Sequence, residues 1–313
     1  MKVLITGGAG FIGSNLVETL ISRDPSTEIV VLDDLTTGRK DNLQGLDVTF
    51  LEGSILSMDQ LAEAVDGVDA VVHLAAIGSV ALSVEHPRRA HDANATGTLN
   101  VLEAARLANV NQVIVASSSS VYGSNEAMPK SEFDWTRPMS PYAASKLATE
   151  SYAIAYGHSY GIKTLALRFF NVYGPRQQPD HDYAAVIPRF LDAALHGERL
   201  TIHGDGLQSR DFTYVASVCD AIALSLEKSL HFDQPINLAF GTNTTLLELV
   251  SEIESILGRQ LTVEHTPLRP GDVRASQSDG KRIRELFPEL QPVPLPEGLK
   301  ATAAWLASNQ PLD

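Results

Sequence analysis

The stretch KVLITGGAGFIGSNLVETL, residues 2–20, decides the reading of the fold. Its opening Lys-Val-Leu-Ile-Thr reads as a buried strand, and from Phe11 onward the apolar residues fall at helical spacing. Between them Gly7, Gly10 and Gly13 form a GxxGxxG pattern. Such a turn permits a tight reversal, close backbone approach to a pyrophosphate, and close helix packing at the third glycine. The helix then aims its first amides, at Phe11 and Ile12, and its positive dipole end at a phosphate. A dinucleotide site is the expectation.

Outward from this unit the pattern repeats. EIVVLD (28–33), VTFLEG (48–53), VDAVVHLAA (68–76), QVIVASS (112–118) and KTLALRFF (163–170) read as further strands. They are rich in Val, Ile and Leu with little alternation, as parallel strands covered on both faces should be. Residues 11–22, 58–65, 95–108 and 141–159 carry helical spacing between them. The expected fold class is α/β, a Rossmann-type doubly wound parallel sheet followed by a smaller C-terminal α/β domain. In the second half, prolines at 175, 179, 188, 235, 267 and 270 punctuate shorter elements, with helices near 184–196, 216–230 and 245–257. A boundary near residue 170 is expected to divide a first domain (1–170) from a second (171–313), with the chain free to cross back between them.

Composition narrows the classes. The 313 residues are 44% hydrophobic, and 38 acidic against 24 basic side chains give a net charge of −14. That balance speaks against a general nucleic-acid or anionic-membrane binder, which needs a basic footprint. It leaves room for a local anion site of backbone amides and a few arginines. Cys219 is the single cysteine, so no disulfide forms within the chain and a reducing, cytoplasmic setting is expected. The first residues lack the apolar core of a signal peptide, and no run of about 18 apolar residues spans a membrane. Nine histidines show no paired ligand spacing, so no metal site is expected.

Asp33 ends the second strand twenty residues past Gly13. A carboxylate there accepts hydrogen bonds from the adenosine ribose hydroxyls and repels a 2′-phosphate, which favours NAD over NADP. In SPYAASK (140–146), Tyr142 and Lys146 stand four apart on one helix face, with Ser140 suited to the N-cap and Pro141 to the first helical position. A cation beside the phenol is expected to lower its pKa from the usual value near 10 toward the working range. The serine run of ASSSSVYG (116–123) leaves a central strand at its C-terminal end, where such sheets place their ligands.

These segments, with HLAA (73–76), LRFFNVYGP (167–175), RDFTYV (210–215) and RPGDV (269–273), resemble in order the extended short-chain dehydrogenase/reductases. Within them the chain is most similar to the NAD-dependent nucleotide-sugar epimerase/dehydratase family, from Met1 to about Asp279. The resemblance implies tightly held NAD, a UDP-sugar substrate, a homodimer formed through helices 95–108 and 141–159, and catalysis by Ser118, Tyr142 and Lys146. It adds Ile55, Leu74, Ala75, Ala76 and Ser117 to the cofactor site, with Asn94 bracing it. To the substrate it assigns Ser79, Ser118, Asn171, Arg210, Arg269, Asp272 and Ser276. Arginine suits a diphosphate because its planar fork binds phosphate oxygens in pairs.

The same resemblance separates reactions. Dehydratases of the family carry an Asp-Glu pair, and decarboxylases a Glu, where this chain has Ser119 and Ser120. Without a carboxylate, elimination is poorly supplied, whereas 4-epimerisation needs only one group to take and return a proton. Ser276 stands where a tyrosine would restrict the pocket to plain hexoses, and AAIGSVALSVEHP (75–87) resembles enzymes accepting N-acetyl sugars. A 4-epimerase of UDP-glucose and UDP-N-acetylglucosamine is therefore implied. The alternatives are a UDP-glucuronate 4-epimerase, a nucleotide-sugar dehydratase, and a non-catalytic NAD-binding sensor, which would have no need of the Tyr-Lys pair. Two departures bear on binding: Ser54 replaces an aspartate expected to meet adenine, and Ser217 replaces an aspartate in the RDFTYVASV segment, where it reads as a cap.

Overall fold

The six apolar runs of the first half form six parallel strands: β1 (Lys2–Thr6), β2 (Glu28–Asp33), β3 (Thr49–Glu52), β4 (Ala70–His73), β5 (Gln112–Ser118) and β6 (Lys163–Phe169). This computed structural model describes residues 1–179, 184–268 and 273–309. A short seventh strand, Ile236–Leu238, pairs in parallel with β6. Its three residues are too few to show a pattern in sequence. The sheet order is Ile236–Leu238, β6, β5, β4, β1, β2, β3, which is the doubly wound arrangement expected. Strand order reverses between β1 and β4, and the crevice beyond their carboxyl ends is where such sheets bind ligands.

The helices of this part are α1 (Phe11–Arg23), α2 (Met58–Ala64), α3 (Val80–Glu85), α4 (Pro87–His91), α5 (Gly97–Leu107) and α6 (Pro141–Tyr160). A π-helical turn, Asp92–Thr96, connects α4 to α5. The apolar faces of α2, α5 and α6 close one side of the sheet: Leu61, Val101, Leu102 and Ala153 join Leu4, Leu32, Val113 and Val115 in a single buried cluster. Burying each such side chain contributes roughly 1.5–3 kcal/mol, which is why β4 and β5 are buried along their entire length.

By its contacts the chain divides into two compact units. The first comprises Met1–Glu126, Glu132–Phe169 and Cys219–Leu238; the second comprises Ala127–Ser131, Phe170–Val218 and Ala239–Asp313. The second unit takes over at Phe170, and residues 219–238 return to the first unit to supply the seventh strand. The second unit has its own core, in which Tyr173, Phe190, Leu191, Leu249, Ile253 and Leu299 are buried together. It holds the helices Val186–His196, Leu246–Leu257 and Leu295–Ser308. The last of these has no counterpart in the sequence reading. Among the described residues, no helix is long and apolar enough to cross a membrane.

Candidate active site

The glycine turn is built as its spacing requires. Gly7 has φ +72°, and a Cβ there would lie 2.6 Å from the Ala75 nitrogen, so only glycine lets β1 and the residues after β4 come this close. The amide of Gly10 donates to the Gly7 carbonyl at 3.1 Å. A side chain at Gly13 would lie 2.6 Å from the Gly8 Cα and overlap the Gly7 carbonyl, so the third glycine seats α1 against the turn. No side chain caps α1 at Gly10, which leaves its N-terminal end suited to an anion. Leu74, Ala75 and Ala76 follow β4 beside the turn, and the Leu74 amide donates to the Thr6 carbonyl at 3.0 Å.

Asp33 is buried at the end of β2. One carboxylate oxygen accepts the Ala9 amide at 2.9 Å and the other the Leu35 amide at 2.9 Å. Burial pushes its pKa up, and these two amides oppose that shift. The carboxylate thus ties the glycine turn to β2, while each oxygen keeps lone-pair capacity for a ribose hydroxyl. Ile55 packs against Gly97 in the core, and its carbonyl accepts from the Asn100 side chain at 3.2 Å. The Ser54 hydroxyl accepts the Leu56 amide at 3.2 Å, closing a turn.

The structure brings Ser118, Tyr142 and Lys146 together in the first unit. Ser140 caps α6 by accepting the Ala143 amide at 3.1 Å, and Pro141 occupies the first turn. The Tyr142 amide donates to the Ser83 hydroxyl at 3.0 Å, fixing the start of α6 against α3. The Ser118 hydroxyl, which accepts the Ser120 amide at 3.2 Å and the Ser120 hydroxyl at 2.9 Å, lies close enough to Tyr142 to influence its titration. Lys146 is buried, and its Nζ donates to the Ala116 carbonyl of β5 at 2.8 Å. Burial pushes its pKa down to about 8.

One expectation is corrected here. The sequence predicts that Lys146 lowers the Tyr142 pKa, but the structure moves it upward. Burial is the larger cause, and the neighbouring Ser118 hydroxyl opposes it. The Lys146 ammonium is turned to the β5 carbonyl, so the hydroxyl of Ser118, not the ammonium, is the group that favours the phenolate.

Asn94 is fully buried and braces two elements. Its side chain accepts the Ile77 amide at 2.8 Å, donates to the Ile77 carbonyl at 3.1 Å, and donates to the Ser145 hydroxyl at 2.9 Å. Ser117 points to the opposite side of β5 from Ser118, and its hydroxyl donates to Glu150 at 2.8 Å. It therefore belongs to a buried network that the sequence reading passes over. Arg168 donates to both Glu150 oxygens, at 3.0 and 2.7 Å, and to the Tyr122 hydroxyl at 2.9 Å. Tyr122 in turn donates to Asn237 at 2.7 Å. The available signal was Glu150 four residues past Lys146, a third polar residue on the Tyr142–Lys146 face. Ser79 caps α3, accepting the Leu82 amide at 3.1 Å.

Of the remaining expected substrate residues, Asn171, Arg210 and Ser276 lie in the second unit. The strand Ser209–Arg210 pairs with Ala275–Ser276, which sets Ser276 opposite Arg210. Asn171, with φ +29°, donates from its side chain to the Asp211 carbonyl at 3.4 Å. Buried Asp211 accepts the Gly241, Thr242 and Ser278 amides, locking the strand that carries Arg210. Asn171, Arg189, Thr201, His203, Gln208 and Arg210 line a cleft of ≈ 230 Å³ in this unit. Ser217 accepts the Val293 amide at 3.1 Å. Arg269 and Asp272 lie outside the described residues.

Comparison with known proteins agrees with this geometry. A family model described as the NAD dependent epimerase/dehydratase family matches residues 3–239. The UDP-glucose 4-epimerase of Mycolicibacterium smegmatis is 38% identical over 317 residues, covering 99% of each chain. The structure of UDP-N-acetylglucosamine 4-epimerase from Methanobrevibacter ruminantium, in complex with UDP-N-acetylmuramic acid, is 37% identical with a TM-score of 0.93, covering 99% of each chain. That of UDP-glucuronic acid 4-epimerase from Bacillus cereus, with UDP-glucuronic acid and NAD, is 32% identical with a TM-score of 0.90, covering 98% of this chain and 99% of the other. The chain belongs to the NAD dependent epimerase/dehydratase family.

Proposed function

We propose that this chain is an NAD-dependent 4-epimerase of UDP-sugars, acting on UDP-glucose and UDP-N-acetylglucosamine. The observation that carries the reading is Tyr142 in the first turn of α6 with buried Lys146 four residues on, its Nζ held by the Ala116 carbonyl, and serines in place of carboxylates at 119 and 120. The residues of the first unit fit the cofactor: the cradle at Gly7, Gly10 and Gly13 is one that a Cβ would fill, and α1 presents an uncapped N-terminus. NAD held by this turn and by Asp33 would supply the hydride acceptor and donor at sugar C4.

The protein's part is to move and hold one proton. Tyr142, as phenolate, takes the proton of the 4-hydroxyl as the C–O bond becomes a carbonyl, and gives it back when the alcohol reforms. Ser118 donates to the reacting oxygen, and Lys146, with one N–H on Ala116, has two more for the nicotinamide ribose. Asn171, Arg210, Arg269 and Asp272 are assigned to the nucleotide, and the small Ser276 leaves space for an N-acetyl group. The resulting enzyme is read as a cytoplasmic homodimer, in keeping with its single cysteine.

A second reading, UDP-glucuronate 4-epimerase, is favoured by the hydroxyl of Ser119 beside Ser118, which suits a carboxylate as a donor. Incubating the protein separately with the three UDP-sugars and resolving the products decides between them. The proposal expects 4-epimers from UDP-glucose and UDP-N-acetylglucosamine. In Tyr142→Phe, kcat should fall by about 10²–10⁴-fold with little change in KM. Absence of a 4-epimer from either sugar, or full activity in Tyr142→Phe, would sink it.

A further inference from the structure

Asp211 is fully buried between the short strands Ser209–Arg210 and Thr213–Tyr214 of the second unit. One carboxylate oxygen, Oδ1, accepts the Thr242 amide at 3.1 Å and the Thr242 hydroxyl at 2.7 Å. The other, Oδ2, accepts the Gly241 amide at 3.0 Å and the Ser278 amide at 3.1 Å. A carboxylate offers about four lone-pair sites and no donor, so every site is taken. The backbone of the same residue is used as fully. Its amide donates to the Ser276 carbonyl at 2.8 Å, and its carbonyl accepts from the Asn171 side chain at 3.4 Å. The Gln277 side chain donates to the Gly241 carbonyl at 2.9 Å and joins two of these partners to each other. Stretches at 171, 241–242 and 276–278 thus meet at the residue that follows Arg210.

We propose that Asp211 is a positioning residue for the UDP part of the substrate: its carboxylate fixes the strand end to which Asn171, Arg210 and Ser276 are all joined. The inference rests on the epimerase reading, which assigns those three residues to the substrate, and deepens it. Asn171 and Arg210 line the same cleft, and Ser276 pairs with Arg210 across the strands. Their spacing is therefore set by a residue that itself donates nothing to a ligand. Asparagine has almost the same size but the wrong chemistry. Whichever way its amide is turned, an NH₂ group faces two donors, and the buried amides or the Thr242 hydroxyl lose their acceptor. The hydrogen bonds of Asp211 given above lie within the second unit, whereas Ser118, Tyr142 and Lys146 belong to the first. The loss therefore falls on binding and not on turnover.

Calorimetric titration with UDP, beside steady-state kinetics on UDP-glucose, tests it. Asp211→Asn is expected to raise the Kd for UDP and the KM about tenfold, with kcat and NAD content nearly unchanged. A merely structural role would lower kcat and NAD content as well. Thr242→Val removes only the 2.7 Å hydroxyl bond and should raise the Kd about threefold; Thr242→Ser keeps that hydroxyl and should restore it. Wild-type affinity for UDP in a folded Asp211→Asn overturns the proposal, as does a fall in kcat at unchanged affinity. If Asp211→Asn does not fold, the Thr242 pair decides, and a Thr242→Val that binds UDP as the wild type does overturns it. A wild-type protein that binds UDP but epimerises no UDP-sugar sinks the functional reading alone, because the titrations still judge Asp211. A wild-type protein that binds no UDP overturns both.

Discussion

At the scale of single residues, His73 shows how this site is held without being part of its chemistry. It is 3% exposed at the end of β4. The Thr98 hydroxyl donates to the Asn94 carbonyl, so its oxygen accepts from Nε2 of His73 at 3.0 Å, and Nδ1 accepts the Thr6 hydroxyl at 2.7 Å. Both ring nitrogens are satisfied by a neutral imidazole. Burial, reinforced by the positive charge of Lys146, pushes its pKa down to about 3 from 6.5. Between these values the unfolded chain binds a proton that the native chain refuses. The contribution is whole above about pH 6.5 and is lost as pH falls toward 3, at about 1.4 kcal/mol per pH unit. Urea unfolding at pH 7 and pH 5 should therefore show a shallower acid-side decline in His73→Gln than in the wild type. Equal slopes would assign the acid sensitivity to other groups. HLAA was read in the sequence only as part of a cofactor motif. The hydroxyl partners of His73 are 67 and 25 residues away, and spacing along a chain carries no trace of them.

At the scale of elements, α6 is the part on which the site depends. Its start is legible from Ser140 and Pro141, and its active face from Tyr142 and Lys146. What seats it is the Glu150–Arg168 pair, with both side chains 4% exposed and a closest contact of 2.7 Å. This pair joins α6 to β6, while Ser117 and Tyr122 extend the network to β5 and to the turn capped by Ser118. A buried pair is costly to break from one side, because the remaining charge is left uncompensated. Glu150→Gln should destabilise the protein by about 3–5 kcal/mol in denaturant unfolding. Glu150→Gln with Arg168→Met should recover much of the loss, since no buried charge remains. A double variant no more stable than the single one would show that the pair contributes more than its mutual neutralisation. Gly10 and Gly13 are the opposite case, because their requirement is local: a Cβ at either would meet atoms of its own turn.

At the scale of the whole molecule, the family expectation of a homodimer rests on the exposed faces of α5 and α6. Leu107 on α5 is 61% exposed and Tyr152 on α6 is 38% exposed, and apolar groups of this kind on neighbouring helices suit burial against a second copy. Leu107→Glu combined with Tyr152→Glu is expected to halve the mass seen by light scattering; an unchanged mass would place the interface elsewhere. The order of the six main strands, the glycine turn, the Asp33 position and the Tyr142–Lys146 spacing were all determined by the sequence itself. Each depends on residues within one element or one turn, where backbone geometry converts spacing directly into position. Tertiary structure alone decided the seventh strand at Ile236–Leu238, the return of residues 219–238 to the first unit, and the Ser117–Glu150–Arg168–Tyr122–Asn237 network. It also reversed the expected direction for Tyr142, because burial and hydrogen-bond partners are properties of packing. The i to i+4 spacing brings Lys146 to the face of Tyr142, but only the fold determines that its ammonium turns to the Ala116 carbonyl of β5.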